Sequence, residues 1–139
     1  MVIFQLVYVS LAADSFSADD LLELLRQSRE NNERAAVSGI LLYKERRFLQ
    51  LLEGDEASVR ATFERIQRDP RHHDITVLLE NETDMRDFDD WSMAFQNLDE
   101  ETARHTPGYS QFMNVTLSVF EFSSDPSRAS QLLRIFRKT

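Results

Sequence analysis

Residues 48–52 read Phe-Leu-Gln-Leu-Leu, and this run limits the fold more than any other stretch of the chain. Successive side chains of a strand point to opposite faces. Here apolar residues fall on both, so the strand must be covered on both sides. Gln50, in the middle, is an amide with two donors and two acceptor sites. Buried without partners it would cost roughly 1–3 kcal/mol. The run predicts a central strand with a polar contact waiting at position 50.

The surrounding patterns say what covers that strand. Up to "HTPGY", residues 105–109, strand and helix patterns alternate; beyond it the pattern is helical. "IFQLVYVS" is β-rich and alternates, with Phe4, Leu6 and Tyr8 on one face and Ile3, Val7 and Val9 on the other. Ser17 and Asp20 resemble a capping box, with Asp in place of the usual Glu. The helix they open carries Leu21, Leu24 and Leu25 as its buried stripe. "VSGILLY" is a second strand, "ERR" turns the chain, and "FLQLLE" is the third. Gly54-Asp55 starts a second helix with Val59, Phe63 and Ile66 inward, and Asp69-Pro70 ends it. "DITVLLE" is strand four and "WSMAFQNL" a short fifth. The order β-α-β-β-α-β-β predicts an α+β, ferredoxin-like sandwich, with strands one and three adjacent and both helices on one side.

The C-terminal stretch predicts a helical hairpin. Phe112, Met113, Thr116, Leu117 and Phe120 share one helical face. Asp125-Pro126 is a cap with Pro at the first helical position. Ala129, Leu132, Leu133 and Phe136 form a second stripe, with Arg134, Arg137 and Lys138 near the negative end of the dipole. The hairpin is expected to cover the sheet face that the first two helices leave open. The division is then a domain of residues 1–98 and an extension, 99–139, packed on the sheet rather than independent.

Composition excludes several function classes. The chain of 139 residues has no Cys, so neither disulfides nor thiolate chemistry is available. Acidic residues outnumber basic ones 24 to 16, for a net charge of −8, which argues against a nucleic-acid or anionic-membrane binder. Three Gly are too few for a Gly-rich phosphate loop. No apolar run approaches a membrane span and no signal-peptide pattern follows Met1, so a cytoplasmic location is the expectation. His72-His73 lacks a carboxylate or Cys at ligand spacing, so no metal is expected. Tyr43 and Tyr109 read as packing residues, and "DMRDFDDW" as a solvated acidic loop.

The informative residues are polar ones on apolar stripes. On the first helix Leu21, Leu24, Leu25, Ser28 and Asn32 share a face that turns from leucine to hydroxyl and amide. Asn31 and Asn32 read equally well as a helix C-cap, where Asn tolerates a left-handed backbone. Tyr8 ends the inward stripe of strand one, and Gln50 shares a face with Phe48 and Leu52. With strands one and three adjacent, Tyr8, Gln50, Ser28 and Asn31 or Asn32 converge between the two helices, as around a polar ligand in an apolar slot.

Taken in order, "LVYVS", "SRENN", "VSGILLY", "FLQLLEG", "RIQRDPRH" and "FDDWSMAF" resemble the BLUF domain, the blue-light sensor that uses flavin. The resemblance runs from about Phe4 to Leu98, and the tail is similar to the helical tails of short, stand-alone members. Ser38 stands where Thr is common and Ala94 where Gly is common; neither is expected to reach the chemistry. The resemblance implies FAD, with FMN or riboflavin as alternatives, held between the helices. It makes Tyr8 the electron and proton donor and Gln50 the bridge from Tyr8 to the flavin ring. Asn32 would bond the C4 carbonyl and N3 edge. Asn31, Arg65, Asp69 and Arg71 would form the polar shell at the C2 carbonyl and ribityl side, with His72 shaping the pocket of the polar side chain. Ser28, Leu24, Leu25, Phe48 and Ile66 would line the slot. Trp91 and Met93 match the family's switch positions near the glutamine. An amide suits the bridging role because flipping exchanges its donor and acceptor ends, whereas Glu would add a buried charge and Leu would offer no bond.

The implied function is a photoreceptor, not an enzyme. It signals through a light-induced Tyr/Gln/flavin hydrogen-bond switch, to a partner protein or to its own assembly as a homo-oligomer. The tail is too short for a cyclase, a phosphodiesterase or a DNA-binding domain. The alternative is a light-independent, ferredoxin-like domain that regulates by binding a small molecule. An acylphosphatase-like hydrolase ranks lower, because no anion-cradling loop accompanies a catalytic Arg and Asn.

Overall fold

Strand β1 (Ile3–Ala12) organises the molecule, because it is paired on both sides by segments far away in sequence. The computed structural model describes residues 2–86 and 94–97. Among them the elements follow as α1 (Ala18–Ala35), β2 (Ser38–Lys44), β3 (Arg47–Gly54), α2 (Glu56–Gln67), β4 (His72–Thr83) and β5 (Ala94–Asn97). The sheet order is β4-β1-β3-β2-β5. All pairings are antiparallel except β2 with β5, which is parallel. This is the α+β, ferredoxin-like arrangement expected, with an added edge strand.

The helices form where the sequence signals them. Ser17 accepts from the Asp20 amide at 3.1 Å, and the Asp20 carboxylate accepts from the Ser17 amide at 2.8 Å, a reciprocal cap worth about 1 kcal/mol. Leu21 and Leu25 of α1, with Val59 and Phe63 of α2, pack on Phe4, Leu6 and Tyr8 of β1, Leu41 and Tyr43 of β2, and Phe48 and Leu52 of β3. Both helices therefore lie on one face. Burying each such leucine contributes about 1.5–3 kcal/mol. On the opposite face Val7, Ile40, Leu42, Leu49 and Leu51 are also buried. The predicted helical hairpin falls on residues 110–138, outside the described residues.

Three local features fix the register. The β2–β3 turn places Glu45 and Arg46 at φ 50° and 63°, the left-handed pair that a two-residue hairpin demands and that usually selects Asn-Gly. It is held by the Arg46 guanidinium on the Ala13 carbonyl and by the Ala12 amide on the Arg46 carbonyl at 2.8 Å. Gly39 is required by close approach, since a Cβ there would lie 1.9 Å from the Leu51 carbonyl oxygen. Strand β4 is longer than "DITVLLE", pairing with β1 from Ile3↔Thr83 to Ala12↔His72, and its register shifts twice, between Val7 and Tyr8 and between Val9 and Leu11. Such bulges let pairing continue while re-aiming side chains.

Candidate functional site

Tyr8 and Gln50 are direct partners across the β1–β3 ladder. Both point into the helix-covered face, and both are 3% exposed. The Tyr8 hydroxyl donates to Gln50 Oε1. Burial pushes the Tyr8 phenol well above its ordinary range, and the nearby Asp69 carboxylate adds to the rise. The group is a neutral hydrogen-bond donor at any physiological pH. The Tyr8 ring rests on Phe63, with centroids 5.3 Å apart.

Two adjoining cavities open beside this pair, between α1 and α2. One is lined by Tyr8, Leu24, Ser28, Leu41, Phe48, Gln50, Ile66, Asp69, Arg71 and His72. The second adds Gln27, Asn31, Asn32, Thr62 and Arg65. Their walls combine apolar side chains with a few convergent amides, as a flat heteroaromatic ring with polar edges requires. Asn32 is 2% exposed and faces the cavity from α1. Asn31 is half-buried and accepts from Arg34 at 2.8 Å. Neither is a helix cap: α1 runs on to Ala35, and Ala36 takes the left-handed capping position at φ 55°.

The polar end is built by Asp69 and Arg71. Arg71 Nε and Nη2 donate to the Asp69 carboxylate at 3.0 and 2.6 Å. Nη2 also reaches Gln27 Oε1 of α1 at 2.8 Å, so this one side chain ties the α2–β4 turn to the first helix. Burial alone would raise the Asp69 carboxyl, but the bonds from Arg71 outweigh it and hold the group below its usual range. His72 is fixed at both ring nitrogens: Nε2 meets the Ile66 carbonyl at 2.7 Å, and Nδ1 meets the Ser10 hydroxyl at 2.8 Å. A carbonyl only accepts, so in the neutral ring Nε2 carries the proton and Ser10 donates to Nδ1. His73 is exposed beside Asp74. Among the described residues no group of His, Cys, Asp and Glu could hold a metal ion, and no helix is long and apolar enough to cross a membrane.

Nearly every residue expected at the site is thus brought together. Leu25 is 1% exposed within the core cluster and lines neither of these two cavities. Leu41, Gln27 and Thr62 line the cavities without having been expected there. Gln27 sits one turn N-terminal of Asn31 on α1, and helical spacing signals it. Trp91 and Met93 lie outside the described residues.

The profile of the BLUF family, sensors of blue-light using FAD, matches residues 3–94. The chain belongs to this family, whose members bind a flavin. Among its relatives, the antirepressor BluF of Escherichia coli (strain K12), regulated by blue light and temperature, is 36% identical over 74 residues, or 53% of this chain. The photoactivated adenylate cyclase subunit beta of Euglena gracilis is 36% identical over 73 residues, or 52% of this chain. The matches span only 18% and 8% of those two proteins. The dark-state structure of BlrB, a BLUF protein, superposes with a TM-score of 0.70 at 27% identity, covering 98% of this chain and 96% of BlrB.

Proposed function

We propose that this chain is a blue-light photoreceptor that holds FAD non-covalently between α1 and α2 and switches through the Tyr8–Gln50 hydrogen bond. The observation that carries the reading is that bond itself, buried in the wall of the cavity. A flavin bound there would supply a strong oxidant on absorbing blue light. Tyr8 is placed to give up an electron and then its hydroxyl proton, with Gln50 Oε1 as the immediate acceptor. Losing that donor frees the Gln50 amide to reorient or change tautomer, exchanging donor for acceptor on the side away from Tyr8. Asn32 is placed to bond the polar edge of the ring, Leu24, Phe48 and Ile66 to pack on its faces, and Arg71, Asp69, His72 and Arg65 to receive the polar side chain. Residues 1–98 act as the flavin-binding unit, residues 99–139 as an extension on the sheet, and Trp91 and Met93 as the family's switch positions. Output passes to a partner protein or to the chain's own assembly.

The test is optical. Purified protein reconstituted with FAD should show a flavin spectrum that shifts to the red under blue light and recovers in darkness. Tyr8→Phe and Gln50→Leu should keep the flavin and lose the shift. A normal photocycle in either variant overturns the assigned roles. Chromatography of the flavin released from protein purified out of its native cells decides between FAD, FMN and riboflavin.

A further inference from the structure

The sheet face opposite the cavity carries a second buried polar group that the switch does not use. Glu53 of β3 is 0% exposed. Its register partners on the two neighbouring strands are Gln5 of β1 and Ser38 of β2. Gln5 Nε2 donates to Glu53 Oε1 at 3.1 Å, and the Ser38 hydroxyl donates to Oε2 at 3.0 Å. The Ser38 oxygen accepts in turn from Arg86 Nη1 at 3.0 Å. Arg86 completes its hold with Nη2 on the Ala36 carbonyl at 2.7 Å and Nη1 on the Glu53 carbonyl at 3.5 Å. The site is shaped for this side chain. Gly54 has φ 155°, and a Cβ there would lie 3.0 Å from the Ala36 oxygen and 3.4 Å from Arg86 Nη2. A guanidinium fits because it offers forked donors, which a lysine cannot.

The position of Arg86 gives the cluster its meaning. Strand β4 is at one edge of the sheet and β5 at the other. The chain therefore crosses four strand spacings, about 19 Å, between Thr83 and Ala94. Arg86 fastens this crossing to the start of β2 and the end of β3. Strand β5 pairs with β2 from Ile40↔Ala94 to Tyr43↔Asn97, so anchor and edge strand ride on the same element. Seven residues of sequence, 87–93, lie between the two, and Trp91 and Met93 are among them.

We infer that Arg86, seated through Ser38 on Glu53 and Gln5, is a positioning residue that sets the placement of β5 on β2 and thereby the decay of the light-induced state. The kinetic half of this inference rests on the photoreceptor reading; the positional half does not. Neither Arg86 nor Ser38 lines the cavities, so flavin binding and the size of the red shift should survive their replacement.

The experiment uses the full chain loaded with FAD. In darkness, Arg86→Ala should raise hydrogen exchange at the amides of Ala94–Asn97 about 5-fold or more, while β1 and β3 amides stay within about 2-fold of wild type. Under blue light its red shift should match wild type, while dark recovery changes about 5-fold or more. Ser38→Ala should move both readouts in the same direction, Ser38→Thr should restore wild-type values, and Arg86→Lys should fall between. If Arg86→Ala does not fold, the Ser38 pair and Arg86→Lys decide. Unchanged exchange at residues 94–97 with recovery within 2-fold of wild type overturns the inference. Exchange that rises equally throughout the sheet also overturns it, because Arg86 would then be a general stabiliser. A wild type with no red shift overturns the photoreceptor reading instead, and the dark exchange still decides the positional half.

Discussion

The rungs Tyr8↔Gln50 and Gln5↔Glu53 belong to the same β1–β3 ladder, three residues apart, and therefore project to opposite faces. Each puts a glutamine amide into a buried, largely apolar setting. On the helix side the amide takes one bond from Tyr8 and borders both cavities. On the far side the amide, a carboxylate, a hydroxyl and a guanidinium close on one another across three strands and the crossing segment. Buried polar networks bonded within the fold rigidify it. On the proposed reading, one rung can rearrange because a ligand would complete it. The other is held by protein groups on three strands and the crossing segment. This chain carries one of each on the same pair of strands.

The most severe way to break the comparison is to disturb the ladder that carries both rungs. Gly39→Ala drives a Cβ against the Leu51 carbonyl, and since backbone cannot yield there it should destabilise by more than about 4 kcal/mol or prevent folding. Far-ultraviolet circular dichroism with urea titration measures it. Next in size is Glu53→Ala, which removes the acceptor shared by Gln5 and Ser38 and should cost about 3 kcal/mol while leaving the flavin red shift unchanged. A cost near zero in the same titration would mean that the far rung is not a lock. Asn32→Ala should weaken flavin retention by roughly 1–3 kcal/mol, read as the rise in FAD dissociation constant; unchanged affinity would remove Asn32 from the ring edge.

Alkaline titration sharpens the contrast further. In the unfolded chain Tyr8 loses its proton near the ordinary value of about 10, whereas burial keeps the folded phenol protonated beyond it. Above that pH the native state binds the extra proton, so stability falls as pH rises. Tyr8→Phe should remove this component, flattening the decline above pH 10 by up to about 1.4 kcal/mol per pH unit. Equal slopes would show that Tyr8 is not protected. Gln50→Leu keeps a similar volume but leaves the buried Tyr8 hydroxyl without its acceptor, so it should cost roughly 1–3 kcal/mol while the photoresponse is lost entirely. Loss of the red shift on one rung, and loss of stability with the red shift intact on the other, is the pattern that upholds the comparison.

Gln50 was legible in the sequence because an amide among Phe48, Leu49, Leu51 and Leu52 is conspicuous, and the helical spacing of Ser28 and Asn32 pointed to the same slot. The same reasoning applied to Gln5, between Phe4 and Leu6, and to Glu53, after Leu52, would have found the second rung. Without the register nothing says that these two residues face each other, or that Ser38 joins them. Arg86 was illegible for a different reason. Its partners are backbone carbonyls and a hydroxyl more than thirty residues away, and such contacts leave no periodicity. A stripe of adjacent leucines does not say which of them faces the gap between two helices and which the sheet, and Leu24 borders both cavities while Leu25 sits in the core cluster. The double register shift in β4 was hidden as well, since "DITVLLE" reads as one regular strand.

The central place of β1 also dictates an order of assembly. Its partners arrive late: Gln50 lies 42 residues after Tyr8, and Thr83, opposite Ile3, lies 83 − 3 = 80 residues on. The β2–β3 hairpin, closed by a two-residue turn, has no such wait. Local contacts form before those that must close long loops, so a chain leaving the ribosome would build the hairpin and α1 first and hold β1 unpaired until β3 and then β4 emerge. His72, which completes the cavity wall beside Tyr8, comes from the last of these. On the proposed reading, the wall that would receive the flavin is complete only once the chain has nearly finished its sheet.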